Sequence, residues 1–525
     1  MRLRWFHFCW AAIFCSSSLS TVLAQTSDDA MAPIVSAEQA IGAERPVVVA
    51  TPAEDNYGQA ERASYMATCQ ECVQPVCNCA SEAKKEELAA AMKGAYKGVF
   101  YANNFAYLNS PLYDGPFFPG DPLKGLADGK LDLGGEFRSR YHREQNHRGL
   151  GLTGRDDQFF LTRLRLFANY RINDYLRFYG EYLYADSAGE DFAPRPIEEN
   201  RGEAQNLFLD VKLTDRLTVR GGRQELLLGA QRLVSPLDWA NTRRTFDGFR
   251  GTYKGDAWTL DGFYTNPVRR VAATAGTLEW DSTNDDAHFY GVYGAKSEPI
   301  GSANVEAYYL GFNNETTNFD YHTIGSRIYG TGENFLYEME GGVQFGRNID
   351  GSGHGAGFMT AGLGKKLNIG QWKPTMWLWY DWASGGDQPF NPGDDGFHHY
   401  FPLAHKYNGF MDLFGRRNLN DANIQFITPT PLKNVKFLLW YHYFFLDQAT
   451  TPYSVVMTPF NTASPAGSKD LGHEIDLLAT VTINPRTSLL FGYSFFDAGE
   501  YYSTTPNVPF NGDADFFYCQ FQSRF

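Results

Sequence analysis

The stretch Phe160-Leu161-Thr162-Arg163-Leu164-Arg165-Leu166-Phe167-Ala168-Asn169-Tyr170 decides the fold. Phe160, Thr162, Leu164, Leu166, Ala168 and Tyr170 form one face, while Arg163, Arg165, Asn169 and then Arg171 form the other. A period of two puts successive side chains on opposite sides of an extended strand. Apolar groups on one side and guanidinium groups on the other fit a wall with lipid outside and a polar lumen inside.

The same period continues in both directions. Upstream, Leu131, Leu133, Gly135 and Phe137 alternate with Asp132, Gly134, Glu136 and Arg138. Downstream, Leu176, Phe178, Gly180, Tyr182 and Tyr184 oppose Arg177 and Glu181, and Ile475, Leu477, Ala479 and Val481 oppose Glu474, Asp476, Thr480 and Thr482. Such segments start near residues 131, 159, 175, 203, 217, 245, 257, 286, 303, 321, 335, 355, 374, 421, 433, 471, 487 and 515. Short turns such as Asn173-Asp174 and Asn484-Pro485-Arg486 alternate with long connections such as Asp186 to Arg201, Asn266 to Asp285 and Gln448 to Lys469. Outer-membrane barrels have this asymmetry. A soluble sandwich or propeller, the competing reading, would have strands nearer about five or six residues and no need of a lipid-facing aromatic girdle. The expected fold is all-β, an antiparallel transmembrane β-barrel of 18 strands occupying residues 130–525.

The chain also ends in this pattern, with Phe517, Cys519, Phe521, Ser523 and Phe525 alternating with Tyr518, Gln520, Gln522 and Arg524. A last amphipathic strand with a terminal aromatic resembles the signal read by the barrel assembly machinery, so Phe525 is the candidate assembly residue. Lipid of a Gram-negative-type outer membrane is the expected surroundings. No apolar run after the N-terminus reaches the ~20 residues of a spanning helix.

Before residue 130 the sequence changes character. Residues 1–24 read as a signal peptide, with Arg2 and Arg4 ahead of the apolar stretch Trp5 to Cys15 and a cleavage pattern at Val22-Leu23-Ala24. Residues 25–64, rich in Ala, Pro, Glu and Asp, read as a disordered linker. Residues 65–129 read as a Cys-rich periplasmic segment with a short helix from Ser81 to Tyr96 and an aromatic, Pro- and Gly-rich strap or plug. Within it Cys69, Cys72, Cys77 and Cys79 have a C-x-x-C and C-x-C spacing, which after export reads as two disulfides. Four thiolates also suit zinc, so metal and redox roles stay open as alternatives.

Charge is segregated along the chain. The net charge is −14, which argues against nucleic acid as a partner. Residues 130–255 nevertheless hold 18 Arg and 3 Lys against 18 Asp and Glu. By strand parity Arg138, Arg140, Arg163, Arg165, Arg177, Arg220, Arg244 and Arg250 are the candidate pore-lining and substrate-binding residues. Arginine binds carboxylates through a planar fork, and rings of Arg favour anions in a pore. The alternative is that these side chains pair with luminal carboxylates such as Glu136 and Glu181 and pack the wall.

The stretch from Arg220 to Arg250, including Leu233-Val-Ser-Pro-Leu-Asp-Trp-Ala-Asn-Thr-Arg-Arg-Thr-Phe-Asp-Gly-Phe-Arg250, resembles the signature of the bacterial alginate export family. So does His405-Lys-Tyr-Asn-Gly-Phe-Met-Asp-Leu-Phe-Gly-Arg-Arg-Asn-Leu-Asn-Asp421. The resemblance spans roughly Leu131 to Phe525. It implies an eighteen-stranded outer-membrane barrel that passes an anionic polyuronate through an electropositive lumen, with periplasmic export partners.

Other constellations are weaker. The stripe Phe437, Leu439, Tyr441, Tyr443, Phe445 reads as lipid contact, and Trp377, Trp379 and Trp382 with Asp381 as a mixture of faces. His398, His399 and His405, near Asp394 and Asp395, read as members of a solvated loop, since no spacing there matches a known metal motif, with a divalent cation site as the alternative. No G-x-S-x-G, H-E-x-x-H or P-loop pattern is present, so no catalytic residue and no cofactor is expected. The functional expectation is an anion-preferring porin for an acidic polysaccharide, oligosaccharide or other anionic solute; an adhesion or scaffold barrel and a barrel enzyme are the alternatives.

Overall fold

The structure is a computed structural model that describes residues 84, 87–92 and 94–525, apart from 114, 272–279, 333, 387–393, 433, 461–464 and 509. The stretches read as signal peptide and linker, and the Cys69, Cys72, Cys77 and Cys79 cluster, lie outside the described residues.

Eighteen strands form the wall. They are β1 (Leu131–Gln145), β2 (Asp157–Arg171), β3 (Leu176–Ala188), β4 (Asn200–Lys212), β5 (Leu217–Gln224) and β6 (Phe246–Lys254). Then come β7 (Trp258–Pro267), β8 (Ala287–Lys296), β9 (Ala303–Asn314), β10 (Phe319–Thr331), β11 (Leu336–Arg347) and β12 (Gly353–Lys366). The last are β13 (Thr375–Ala383), β14 (Leu419–Pro429), β15 (Val435–Phe445), β16 (Asp470–Asn484), β17 (Thr487–Ala498) and β18 (Ala514–Arg524). Each strand pairs with its sequence neighbours, and β18 pairs antiparallel with β1, which closes the sheet. Closure leaves no backbone edge unpaired, the condition for a sheet to cross lipid. Each expected strand start lies within three residues of the observed one.

Burial alternates as the period of two requires. Along β2 the odd positions Phe159 to Asn169 are buried, while Phe160, Leu166 and Tyr170 are exposed. On β15, Phe437, Leu439 and Tyr441 face outward, and on β13 Trp377, Trp379 and Asp381 face inward while Trp382 takes the outer side.

The two rims differ. Connections 172–175, 213–216, 255–257 and 485–486 lie on the rim that also carries the start of β1 and the end of β18. Connections 225–245, 268–286, 384–418 and 446–469 lie on the other, where 315–318 and 348–352 are the short exceptions.

Three apolar clusters sit inside the wall. Phe410, Leu413 and Phe414 from 384–418 pack on Phe444, Phe496 and Tyr501. Leu226 and Val234 from 225–245 join Phe397 and Tyr400 against Phe246, Phe289 and Phe312. From the N-terminal side, Ala95, Val99, Phe100, Tyr101, Phe105 and Tyr107 pack on Phe167, Tyr179 and Phe208, which project inward from β2, β3 and β4. The helix expected up to Tyr96 stops short of it: the last described helical residue is Met92, and Gly94 to Tyr96 form a turn, at a residue type that favours helix termination.

Candidate functional site

Strand parity aims seven of the eight candidate arginines inward. Arg138 and Arg140 come from β1, Arg163 and Arg165 from β2, Arg177 from β3, Arg220 from β5 and Arg250 from β6, and all are buried. Arg244 is a correction. It lies in the 225–245 connection, where its guanidinium donates to the carbonyls of Ser235 (3.2 Å) and Pro402 (3.3 Å), because the strand parity that marked it stops at Gln224 and resumes only at Phe246.

Register lines these residues into rows. Arg177 on β3 stands opposite Asp210 on β4, Asp210 opposite Arg220 on β5, and Arg220 opposite Arg250 on β6. Asp210 accepts from both Arg177 (3.1 Å) and Arg220 (2.7 Å), while Asp261 on β7 holds Arg250 at 2.8 Å. Arg138 stands opposite Arg163, which pairs with Glu136 at 2.6 Å and Asp238 at 3.0 Å; Arg165 pairs with Glu181 at 2.6 Å. Arg138 and Arg140 differ. Among the described residues neither has a carboxylate at ion-pair distance. Arg138 donates to the carbonyls of Asp238 (2.8 Å) and Ala240 (2.6 Å), and Arg140 to Gln520 Oε1 (2.8 Å) and the Trp239 carbonyl (2.9 Å).

The opposite side of the lumen is acidic. Glu306, Glu338, Glu340, Asp381, Asp421, Glu474 and Asp476 project inward from strands β9 to β16 and are buried. Arg327 on β10 contacts Glu306 and Glu338. Glu338 and Glu340 also bind Arg232 of 225–245, and Asp381 binds Arg416 of 384–418 at 2.5 Å. Phe410 and Met411 donate backbone N–H groups to Asp476 (3.3 Å) and Glu474 (2.9 Å).

The two long connections that bind this acidic side also join each other. Val234 forms a parallel bridge with Phe401, Ser235 N–H donates to Phe401 O at 2.9 Å, and Phe401 N–H returns to Leu233 O at 2.9 Å. Trp239 stacks on His405, and the Arg140 guanidinium lies 3.7 Å from the Trp239 ring centroid on the wall side. The two inward-folded connections thus overlap the two stretches that carry the family resemblance. Positive φ at Gly229, Gln231, Leu237 and Gly409 turns the backbone inward at these places.

Burial sets the charge states of these connections. Burial alone would raise the Asp238 pKa, yet Arg243, Arg163 and Arg138 hold its carboxyl well below the ordinary range. Burial pushes His399 well below its usual value, so it is a neutral imidazole that accepts from Arg416 N–H (3.2 Å) and reaches Val455 O (3.2 Å). Lys406 is pushed down to about 7 by burial. The expectation of a solvated histidine loop is therefore corrected: His399 and His405 are buried inside the wall because 384–418 folds into the lumen.

Phe525 extends the closing pair, its N–H donating to Gly135 O at 3.0 Å and its carbonyl accepting from Gly135 N–H at 2.7 Å. Cys519 lies on the outward parity of β18. Sequence reasoning missed Phe159, Leu161, Phe167, Tyr179, Leu183 and Phe208, apolar residues at luminal parity. Such side chains on a water-facing wall are the signal that something covers them.

Comparison with known proteins agrees with this geometry. The family model for alginate export matches residues 129–511. No curated protein matches. Among solved structures, OccAB1 of Acinetobacter baumannii superposes with a TM-score of 0.51 at 12% identity, covering 75% of this chain and 96% of that one. OpdQ of Pseudomonas aeruginosa gives 0.51 at 13% identity over 75% and 98% of the two chains, and the P. aeruginosa outer membrane protein opdK gives 0.50 at 12% over 75% and 98%. At these identities the likeness is one of fold, a closed outer-membrane β-barrel. The family match covers most of the chain and includes both inward-folded connections, and on that ground the chain belongs to the alginate export family.

Proposed function

We propose that the barrel is an outer-membrane, anion-preferring conduit for an acidic polysaccharide or oligosaccharide such as alginate. The observation that carries this reading is the pair Arg138 and Arg140, two inward guanidinium groups without carboxylate partners among the described residues, beside the paired row Arg177, Arg220 and Arg250. Unneutralised charge in a narrow, partly dehydrated passage raises the local concentration of carboxylates far more than charge in bulk water. The acidic face across the lumen gives a transverse field, which would hold a polyanion against the arginine wall.

The test is the reversal potential in a salt gradient across a planar bilayer, with wild type beside the Arg138→Gln, Arg140→Gln double variant. Anion selectivity that weakens in the variant, and block of the current by oligouronate on the wild type alone, are the expected results. A cation-selective wild type, or equal block of both proteins, would sink the reading. The lumen's apolar filling favours one rival, a scaffold barrel that conducts nothing, and a silent wild type whose variants in 225–245 and in the N-terminal segment are also silent would support it.

A further inference from the structure

We propose that residues 95–107 are a displaceable plug, seated in the short-turn end of the lumen and held on a fixed clamp at residues 118–124. The proposal rests on the conduit reading above, since a plug needs a passage to close.

The head of the segment is bound to the wall by rings and carbonyl oxygens. Phe100 lies under the Arg165 guanidinium at 3.8 Å from ring centroid to guanidinium carbon, and Tyr101 under that of Arg220 at 4.2 Å. Arg177 donates to Tyr101 O at 2.5 Å, Arg243 donates to Gly98 O at 3.0 Å, and Tyr101 Oη–H donates to Glu225 O at 2.8 Å. Residues 94–113 contain no Asp or Glu, so every wall arginine they touch keeps its carboxylate from elsewhere: Arg165 from Glu181, Arg177 and Arg220 from Asp210, Arg243 from Glu225 and Asp238, Arg250 from Asp261, Arg524 from Glu136, and Arg486, which also meets Tyr107 Oη, from Asp121 of the clamp. Withdrawal would therefore separate no ion pair.

The backbone is equally detachable. Over 95–113 the described backbone-to-backbone hydrogen bonds run within the segment or back to Met92, as in Ala102 N–H to Val99 O and Asn104 N–H to Ala95 O, and none joins a barrel strand. The clamp is built differently. Asp121 pairs with Arg486 at 3.0 Å, in the β16–β17 turn, and accepts from Phe118 N–H at 2.9 Å; Lys124 donates to Leu133 O at 2.5 Å. Between head and clamp, Leu112 and Phe117 are exposed. A head held without ion pairs, next to a charge-paired foot, is the arrangement of a stopper on a tether. Its removal would uncover Arg165, Arg177, Arg220 and Arg250 together, so opening and the exposure of anion-binding groups are one event.

The experiment measures current per inserted barrel in potassium chloride, using full-length protein whose barrel is verified by heat-modifiable gel mobility. The Phe100→Ala, Tyr101→Ala double variant should conduct about tenfold or more above wild type, as expected when the seated state loses its main contacts. Tyr101→Phe, which keeps the ring, should stay near wild type. Should the double variant lose heat-modifiability, Val99→Asp, which places a carboxylate in the same apolar contact, must show the gain instead. Equal current in wild type and head variants, or silence in all of them, would overturn the plug. Raised current without anion preference would leave the plug standing and remove the anion-conduit reading.

Discussion

Trp239, from the connection after β5, lies face to face with His405, from the connection before β14, their ring centroids 3.5 Å apart and their planes 7° from parallel. Phe410 continues the stack beyond His405 and the Arg140 guanidinium caps it on the other side, so one pile of planar groups spans from wall to loop. Trp239→Ala should free both connections at once, since stacking of this kind contributes about 0.5–1.5 kcal/mol and a cation over the ring about 0.5–2 kcal/mol. Larger, noisier single-channel currents with unchanged barrel stability are expected. Unaltered currents would show that the two connections are held without this stack.

Glu136 is the partner of Arg163 and also lies 3.3 Å from Arg524. Glu136→Gln should lower stability to urea in lipid vesicles, by less than the about 3–5 kcal/mol of a fully orphaned buried charge, because Arg163 keeps Asp238 at 3.0 Å while Arg524 loses its carboxylate. A loss no larger than that of an exposed pair such as Arg216 and Asp256 would contradict this.

Removal of Phe525 should cut the yield of assembled barrel sharply. The residue supplies both hydrogen bonds of the last rung with Gly135, each contributing about 0.5–1.5 kcal/mol, and it is the residue read as the assembly signal. Heat-modifiable protein in the membrane fraction is the readout, and normal yield would count against the assignment.

At Gly409 φ is +80°, and a Cβ there would lie 2.5 Å from Glu474 Oε1. Gly409→Ala should push the connection off the acidic wall, with backbone strain of about 1–3 kcal/mol in addition. A lowered melting temperature and increased proteolysis within 384–418 are expected.

Lys406 gives a pH dependence with a defined sign. Its folded-state pKa of about 7 lies below the ordinary 10.5, so between these values the unfolded chain binds the extra proton and stability rises with pH. Below about 7 both states are protonated and the burial penalty is felt in full. Lys406→Met should therefore stabilise most at and below neutral pH, with the advantage fading towards 10.5. A constant difference across that range would refute the assignment.

The wall was legible in the sequence because a period of two is local: Phe160 to Tyr170 states its own two faces, and the terminal run to Phe525 does the same. What fills the wall was not legible. Val234 and Phe401, or Trp239 and His405, meet across more than a hundred and fifty residues of chain, and irregular backbone leaves no period to mark such a meeting. Arg244 shows the limit at single-residue scale, since parity counted through a connection assigns a face that does not exist there. The identity of each arginine's counter-charge, Asp210 for Arg220 or Asp261 for Arg250, depends on register between strands, which one chain's alternation does not give.

Gly120, with φ +88°, packs so closely on the chain's end that a Cβ would lie 2.2 Å from the carbonyl carbon of Phe525, and its neighbour Asp121 is held by Arg486. The foot of the N-terminal segment thus rests on Phe525 and on the β16–β17 turn, beside the strands that close the sheet. It has no seat until β17 and β18 are in place, so a nascent barrel passes through a stage that is sealed at its seam yet unstoppered at its mouth. Seating of the foot therefore waits on closure of the sheet, and the two share one order of maturation.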